Sequence, residues 1–131
     1  MVSRAPVHIL VVDDESTILR ALSIALSRGG YTVRTAESGE IAQALLRAER
    51  FDAMIVDLRI PDMRGDVIFE LAASMQPHLR HSTLFTTGDA SDRAQDLIEA
   101  CGCPVLAKPF DLNEILNAVG RLTRSVRDAT A

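Results

Sequence analysis

The chain has 131 residues, of which 47% are hydrophobic and 24% charged, and this fits one soluble globular domain rather than two. Its formal net charge of −4 argues against a nucleic-acid or anionic-membrane surface, because either partner requires a basic face. No run approaches the roughly 18 apolar residues of a membrane span, and no cleavage site follows the first apolar run. We therefore expect a cytoplasmic protein with neither a nucleic-acid nor a membrane partner.

Five short aliphatic runs predict β-strands, at 7–12, 31–36, 52–57, 83–87 and 104–107. Near-continuous apolar runs of this length are typical of strands that are buried on both faces of a parallel sheet. The second run alternates more between apolar and polar residues than the others do, and we expect it at an edge of the sheet.

After each predicted strand, apolar residues recur at helical spacing. The five stripes consist of Ile18, Leu22, Ala25 and Leu26; Ile41, Leu45 and Ala48; Val67, Ile68, Leu71, Ala72 and Met75; Ala94, Leu97, Ile98 and Cys101; and Ile115, Val119 and Leu122. The predicted helices begin after the caps Ser38, Ser91 and Asp111, and two of them end at Gly29 and Pro77. Asp111 opens the sequence DLNE, which has the pattern of a capping box.

The alternation of strands and helices predicts a doubly wound α/β fold, with right-handed crossovers and helices on both faces of one parallel sheet. No linker, low-complexity tract or internal repeat divides the chain. We expect a single (βα)5 domain over residues 1–131, with its core in 7–124 and a frayed tail after it.

The cysteines and histidines form no recognisable metal site. Cys101 and Cys103 lie two residues apart, where a disulfide would be strained, and no histidine is near them in sequence. We interpret them as buried free thiols at a helix-to-strand turn. His78 and His81 lie in a predicted loop, where solvated histidines are favoured over a phosphohistidine.

Polar and charged residues follow four of the predicted strands. In an open parallel sheet, ligands bind beyond the carboxyl ends of the strands, where the strand order reverses, so these residues are expected to converge. Two of these residues, Asp13 and Asp14, are adjacent, and the preference of Asp for turns and N-caps explains the presence of one of them well and of the second poorly. The converging residues are Asp13 and Asp14 after the first strand, Asp57 at the third, Thr86, Thr87 and Gly88 at the fourth, and Lys108 and Pro109 after the fifth.

Three carboxylates in one cleft predict a bound cation, because each carboxylate raises the pKa of the others. An incomplete set of oxygen ligands that leaves room for water favours Mg²⁺ over a closed Ca²⁺ cage. A lysine and a threonine opposite the metal could hold an anion. Together these groups predict a phosphoryl-transfer site in which a carboxylate is the nucleophile and becomes an aspartyl phosphate.

Four fragments, VVDDE, DLRIPDMRG, TTGDA and AKPF, occur in this order on the matching elements. With them, the chain resembles the receiver domain of two-component response regulators over roughly residues 7–124. The resemblance implies a flavodoxin-like fold with strand order 2-1-3-4-5 and a cis Lys108–Pro109 peptide. It also implies roles: Asp57 as phosphoacceptor, Asp14 as direct Mg²⁺ ligand, Asp13 as a ligand through metal-bound water, the Arg59 carbonyl as a further ligand, Thr87 before the small Gly88 as switch hydroxyl, and Lys108 as phosphoryl-binding lysine.

The chain departs from the family pattern at position 105, which is often aromatic and swings inward on phosphorylation. Here it is Val105, which has no ring to swing, so the signal is expected to pass through Thr87 and the loop that follows it. By the family's geometry, Arg59 and Asp89 flank the entry of the hydrolytic water. We expect either an ion pair that slows hydrolysis or two solvated side chains.

The resemblance implies a signalling domain that takes a phosphoryl group from a histidine kinase or phosphotransfer protein onto Asp57 and promotes its own phosphorylation and dephosphorylation. A stand-alone regulator and the receiver of a hybrid histidine kinase both fit, and the downstream effector stays open. A pseudo-receiver that acts only as a protein-interaction module is the alternative. A haloacid-dehalogenase-like phosphatase is disfavoured, because it needs a second Asp where Arg59 stands.

Overall fold

The computed structural model of the protein describes residues 6–88, 96 and 99–124. Its elements are β1 (His8–Val12), α1 (Ser16–Arg28), β2 (Thr32–Ala36), α2 (Gly39–Ala48), β3 (Ala53–Asp57), α3 (Gly65–Met75), a 3₁₀ helix (Pro77–His81), β4 (Thr83–Thr87), β5 (Val105–Ala107) and α4 (Leu112–Leu122). The stretch of the fourth predicted helix that holds Ser91, Ala94, Leu97 and Ile98 lies outside the described residues, whereas 99–101 are helical.

The five strands form one parallel sheet in the order β2-β1-β3-β4-β5. This confirms the α/β class, the doubly wound arrangement and the predicted edge position of the second strand. The Lys108–Pro109 peptide is cis, as the resemblance implied. None of the helices in the described ranges is long and apolar enough to cross a membrane.

The core consists of two apolar layers, one on each face of the sheet. Successive side chains of a strand point to opposite faces, so the central strands supply both layers and are fully buried. One layer packs under α2 and α3 and contains Leu10, Val12, Met54, Val56, Phe85, Leu46, Ile68 and Phe69. The other packs under α1 and α4 and contains Ile9, Val11, Ala53, Ile55, Leu84, Leu22, Leu26, Ile115 and Val119.

Both caps that fall on described residues form as predicted. The Ser38 side chain accepts a hydrogen bond from the Ile41 amide at 3.1 Å, and Asp111 and Glu114 form the reciprocal bonds of a capping box.

The sequence did not predict a further cap, at the start of α2. The Asp62 carboxylate, in the β3–α3 connection, accepts from the amides of Gly39 and Glu40 at 2.9 and 3.1 Å. It ties this connection to the first turn of α2.

The prediction of a solvated loop histidine is wrong for His78. The segment is a 3₁₀ helix, and the half-buried His78 ring has its Nε2 2.6 Å from the Phe51 carbonyl oxygen. The sequence contains no motif that would predict this contact, because His78 and Phe51 lie 27 residues apart on different elements. His81 is exposed, as predicted.

The two cysteines are free thiols, but they are half-buried rather than fully buried. Their side chains pack against the apolar layer under α2 and α3. The Cys103 Sγ lies 3.9 Å from the Arg80 carbonyl oxygen and 3.7 Å from that of Cys101. Burial, with a smaller contribution from Cys101, raises the pKa of the Cys103 thiol to about 11.

We expect the folded protein to alkylate slowly at Cys103, because the thiolate is the reactive species. The raised pKa lowers the thiolate fraction at mildly alkaline pH about a hundredfold, and the greater nucleophilicity of a more basic thiolate offsets part of this. A Cys101→Ser variant leaves Cys103 as the sole thiol. Its reaction with iodoacetamide, followed by intact mass, should be at least about tenfold slower in the folded than in the guanidinium-unfolded protein. Equal rates would contradict the buried environment.

Candidate functional site

The sheet register brings the ends of β1, β3, β4 and β5 to one edge. Val12 lies opposite Val56, Asp57 opposite Thr86, and Thr87 opposite Ala107. Because the strands are parallel, the residues that follow them emerge side by side. The Lys108 amide donates to the Thr87 carbonyl oxygen at 2.7 Å, which extends this pairing by one residue beyond β5.

Lys108 lies at the centre of the cluster. Its Nζ is 2.6 Å from Asp57 Oδ2, 3.0 Å from Asp13 Oδ2 and 3.2 Å from Glu15 Oε1. Burial by itself would lower the pKa of Lys108, but the hydrogen bonds to Asp57 and Asp13 outweigh it and raise the pKa above its ordinary value. The ammonium is therefore fully charged and offsets the repulsion between two buried carboxylates.

Asp57 is the last residue of β3 and is 4% exposed. Its two carboxylate oxygens have different partners: Oδ1 accepts from the Arg59 amide at 3.0 Å, and Oδ2 accepts from Lys108. The Leu58 amide, which follows at once, donates to the Thr86 carbonyl oxygen at 2.9 Å. These bonds fix the direction in which the carboxylate projects beyond the sheet.

Asp13 and Asp14 differ in their surroundings. Asp13 is 2% exposed, and its Oδ1 accepts from the Glu15 amide at 2.9 Å, whereas Asp14 is exposed. Burial raises the pKa of Asp13, against the opposing effects of the Glu15 amide and Lys108. One oxygen from each of Asp13, Asp14 and Asp57 lies within 4.8 Å of the others. An oxygen-only set that is open at Asp14 fits a hard cation such as Mg²⁺, which keeps several waters.

The end of β4 supplies the hydroxyl side of the cluster. Thr86 and Thr87 are both buried, so burial alone does not choose between them as the switch hydroxyl. Gly88 is exposed, and among the described residues a Cβ at Gly88 would meet nothing within 4 Å. Val105 lies opposite Phe85 and is 39% exposed. The prediction that signal passes through Thr87 stays a prediction.

Of the two residues assigned to the water entry, Arg59 is exposed. Asp89 lies outside the described residues, so the Arg59–Asp89 pair also stays a prediction.

Two residues at the site were missed by reasoning from the sequence. Glu15 contacts Lys108, and Gly65 touches the backbone of Asp57 and Leu58. Both residues lie in the fragments already singled out: Glu15 is the third acid of VVDDE, and Gly65 is the glycine of DLRIPDMRG.

Comparison with known proteins agrees with this geometry. The family model described as "Response regulator receiver domain" matches residues 9–120. The transcriptional regulatory protein KdpE of Mycobacterium tuberculosis is 39% identical over 94% of this chain and 52% of its own length. This chain thus spans about half the length of that curated relative.

Two solved structures combine a similar fold with similar sequence. The chemotaxis response regulator CheY4 of Vibrio cholerae has a TM-score of 0.80 and 31% identity, over 90% of this chain and 99% of that one. A response regulator protein from Burkholderia pseudomallei, solved with a phosphorylated aspartic acid, calcium ion and citrate, has a TM-score of 0.77 and 31% identity, over 95% of this chain and 72% of that one. The chain belongs to the response regulator receiver domain family, whose members are phosphoacceptors in two-component signalling.

Proposed function

We propose that Asp57 is the phosphoacceptor of this receiver domain. The observation that carries the assignment is the pairing of its Oδ2 with the Lys108 ammonium at 2.6 Å, inside a cluster that contains two further carboxylates. Asp57 makes the shortest of the three contacts with Lys108, and the Arg59 amide fixes its other carboxylate oxygen at the end of β3. An oriented nucleophile and a nearby cation are what phosphoryl transfer requires of a protein.

The transfer is a displacement at phosphorus. An oxygen of the Asp57 carboxylate forms a bond to phosphorus, and the bond from phosphorus to the leaving group breaks. With a phosphohistidine donor the leaving group is the imidazole nitrogen, and with acetyl phosphate it is acetate, which departs with the electron pair. Lys108 is placed to donate to a phosphoryl oxygen once the group is on Asp57.

Asp13, Asp14 and Asp57, with the backbone carbonyl of Arg59, would hold Mg²⁺ at this site. The oxygen-only donor set and the exposed side at Asp14 support a partly hydrated ion. A bound Mg²⁺ would supply positive charge that stabilises the transferring phosphoryl oxygens. The calcium ion and phosphorylated aspartic acid in the Burkholderia pseudomallei structure belong to that protein and are consistent with this assignment.

The output we infer is a shift between two conformations. An aspartyl phosphate carries about −1.5 to −2 charges in place of the single negative charge of the carboxylate, and it carries them further beyond the strand end, where Thr87 and Lys108 can meet them only in one arrangement. Thr87 is the last residue of β4, the strand that lies beside the strand that ends in Asp57, and this position supports its role as the hydroxyl partner of the phosphoryl group. Moving the population from 1:99 to 99:1 requires about 5.5 kcal/mol of differential stabilisation.

The donor that we propose is a histidine kinase or a phosphotransfer protein, in keeping with the partners of receiver domains. The expectation of no nucleic-acid partner rests on the charge of this chain and stays a prediction, since relatives such as KdpE are transcriptional regulatory proteins. The cytoplasmic location, the choice between a stand-alone regulator and a hybrid kinase, and the bounds of the domain also remain predictions. No observation favours a pseudo-receiver.

The test is phosphoryl uptake from acetyl phosphate, followed by intact mass. We expect one phosphoryl group per chain with Mg²⁺ present and none when EDTA removes the metal. Borohydride reduction, which converts an aspartyl phosphate to homoserine, should mark residue 57 in the peptide map. The protein contains no tryptophan, so mass replaces the tryptophan-fluorescence assay. Uptake that persists in EDTA, or a mark on another residue, would refute the proposal.

A further inference from the structure

The hydrogen-bonding capacity of Lys108 is already in full use. An ammonium group has three N–H donors. In this structure they face three carboxylate oxygens, at 2.6 Å on Asp57, 3.0 Å on Asp13 and 3.2 Å on Glu15. A phosphoryl oxygen can therefore gain a full hydrogen bond from Lys108 only when one of these three is released.

Glu15 is the partner whose release costs least. The Asp13 side chain is 3% exposed, so losing Lys108 would leave a buried carboxylate without its cation. The same holds for Asp57, 6% exposed, while the donor approaches and until the bond to phosphorus replaces its negative charge. The Glu15 side chain is 55% exposed and makes the longest of the three contacts. Water can replace the ammonium on Glu15, and exposed ion pairs of this kind are weak.

We propose that Glu15 is a positioning residue that tethers Lys108 in the unphosphorylated domain and releases it when the phosphoryl group arrives. This inference rests on the proposed function and adds a residue to which the sequence reasoning assigned no role. The Glu15 contact exists before transfer and competes with the phosphoryl oxygens. The tether thus opposes phosphorylation, and its loss accelerates the reaction.

The role of the side chain can be separated from that of the backbone at this position. Glu15 is the N-cap residue of α1, but its side chain makes no capping hydrogen bond. The amide of Glu15, which orients Asp13, is unaffected by a change of side chain. Substitution therefore removes the contact with Lys108 and leaves the helix start and the Asp13 orientation in place.

Two variants distinguish a tether from simple charge repulsion. Glu15→Gln removes the negative charge and keeps the length of the side chain. Glu15→Asp keeps the charge on a side chain that is one methylene shorter, which we expect to break the 3.2 Å contact with Lys108 and to turn the carboxylate toward the free amides at the start of α1. Glu37→Gln is the matched control, because Glu37 is an exposed acid directly after β2, whose last residue pairs with the Asp13 amide.

The experiment measures the initial rate of phosphorylation by acetyl phosphate in excess Mg²⁺, and separately the affinity for beryllofluoride, a phosphoryl analogue, by fluorine NMR. We expect both Glu15 variants to react about two- to fivefold faster than the parent and to bind beryllofluoride tighter by a similar factor. Glu37→Gln should match the parent. High salt should reduce the gain, because it screens the ion pair in the parent.

The outcomes separate this role from the proposed function. A parent chain that takes up no phosphoryl group overturns the proposed function, and this role with it. A parent that is phosphorylated as fast as both Glu15 variants overturns the role of Glu15 alone. Acceleration in Glu15→Gln without acceleration in Glu15→Asp, or an equal gain in Glu37→Gln, would assign the effect to general charge and overturn the tether.

Discussion

The Asp57→Asn variant is expected to take up no phosphoryl group from acetyl phosphate with Mg²⁺ present, although it remains folded. An amide lacks the anionic oxygen that forms the bond to phosphorus. It has nearly the same shape as the carboxylate, and its one oxygen can keep the bond from either the Arg59 amide or Lys108. Lys108 retains Asp13 as a buried counter-charge. Intact mass gives the uptake, and a denaturant titration confirms that the variant folds.

Asp62→Asn is the control for this substitution. Asp62 is an exposed acid in the same loop, and an asparagine oxygen can still accept one of its two bonds from α2. We expect this variant to take up one phosphoryl group at a rate close to that of the parent. Labelling of Asp57→Asn at the parent's level would mean that another residue is the acceptor.

The Gly65→Ala variant is expected to be less stable than the parent and to take up the phosphoryl group more slowly. A Cβ at Gly65 would lie 2.8 Å from Leu58 Cα and closer still to the Asp57 carbonyl oxygen. Both atoms are backbone at the end of a buried strand, so neither can move aside as a flexible side chain would. Either the first turn of α3 or the strand end that carries Asp57 must shift. Overpacking of this kind costs about 1–3 kcal/mol.

Gly120→Ala is the matched control for the effect of removing a glycine. A Cβ at Gly120, in α4, would meet nothing within 4 Å, so alanine should stabilise the helix by about 0.5–1 kcal/mol. Urea titrations of both variants measure the two changes, which are expected to have opposite signs. We also expect Gly65→Ala to be phosphorylated at least about tenfold more slowly, because transfer depends on the placement of Asp57. A Gly65→Ala variant as stable as the parent would refute the close contact.

Much of the fold could be predicted because its signals are local. Strands β1, β2, β3 and β5 begin one residue later than predicted, at His8, Thr32, Ala53 and Val105, which is within the ordinary uncertainty of element boundaries. The Asp111 capping box needs only four residues of sequence. The 3₁₀ helix at Pro77–His81 was predicted as a loop, because its contacts are with Phe51 and other residues distant in sequence.

The sequence predicted which residues meet at the candidate site, but not the contacts that they make there. The residue types at the strand ends, and the rule that parallel strands bring their carboxyl ends to one edge, were enough to place Asp13, Asp57, Thr87 and Lys108 together. The contacts among these groups were not predictable. Lys108 is 51 residues from Asp57 and 93 residues from Glu15, and the partners of a flexible ammonium depend on side-chain burial and rotamers.

The sequence by itself determined the α/β class, the order in which acids, hydroxyls and lysine follow the strands, and the kind of chemistry that we propose for them. Only the tertiary structure decided that Glu15 is the third partner of Lys108, that Asp62 ties the β3–α3 connection to α2, and that Gly65 must lack a side chain. The physical reason is that strand periods and caps depend on neighbouring residues, whereas these three contacts depend on how closely separate elements pack.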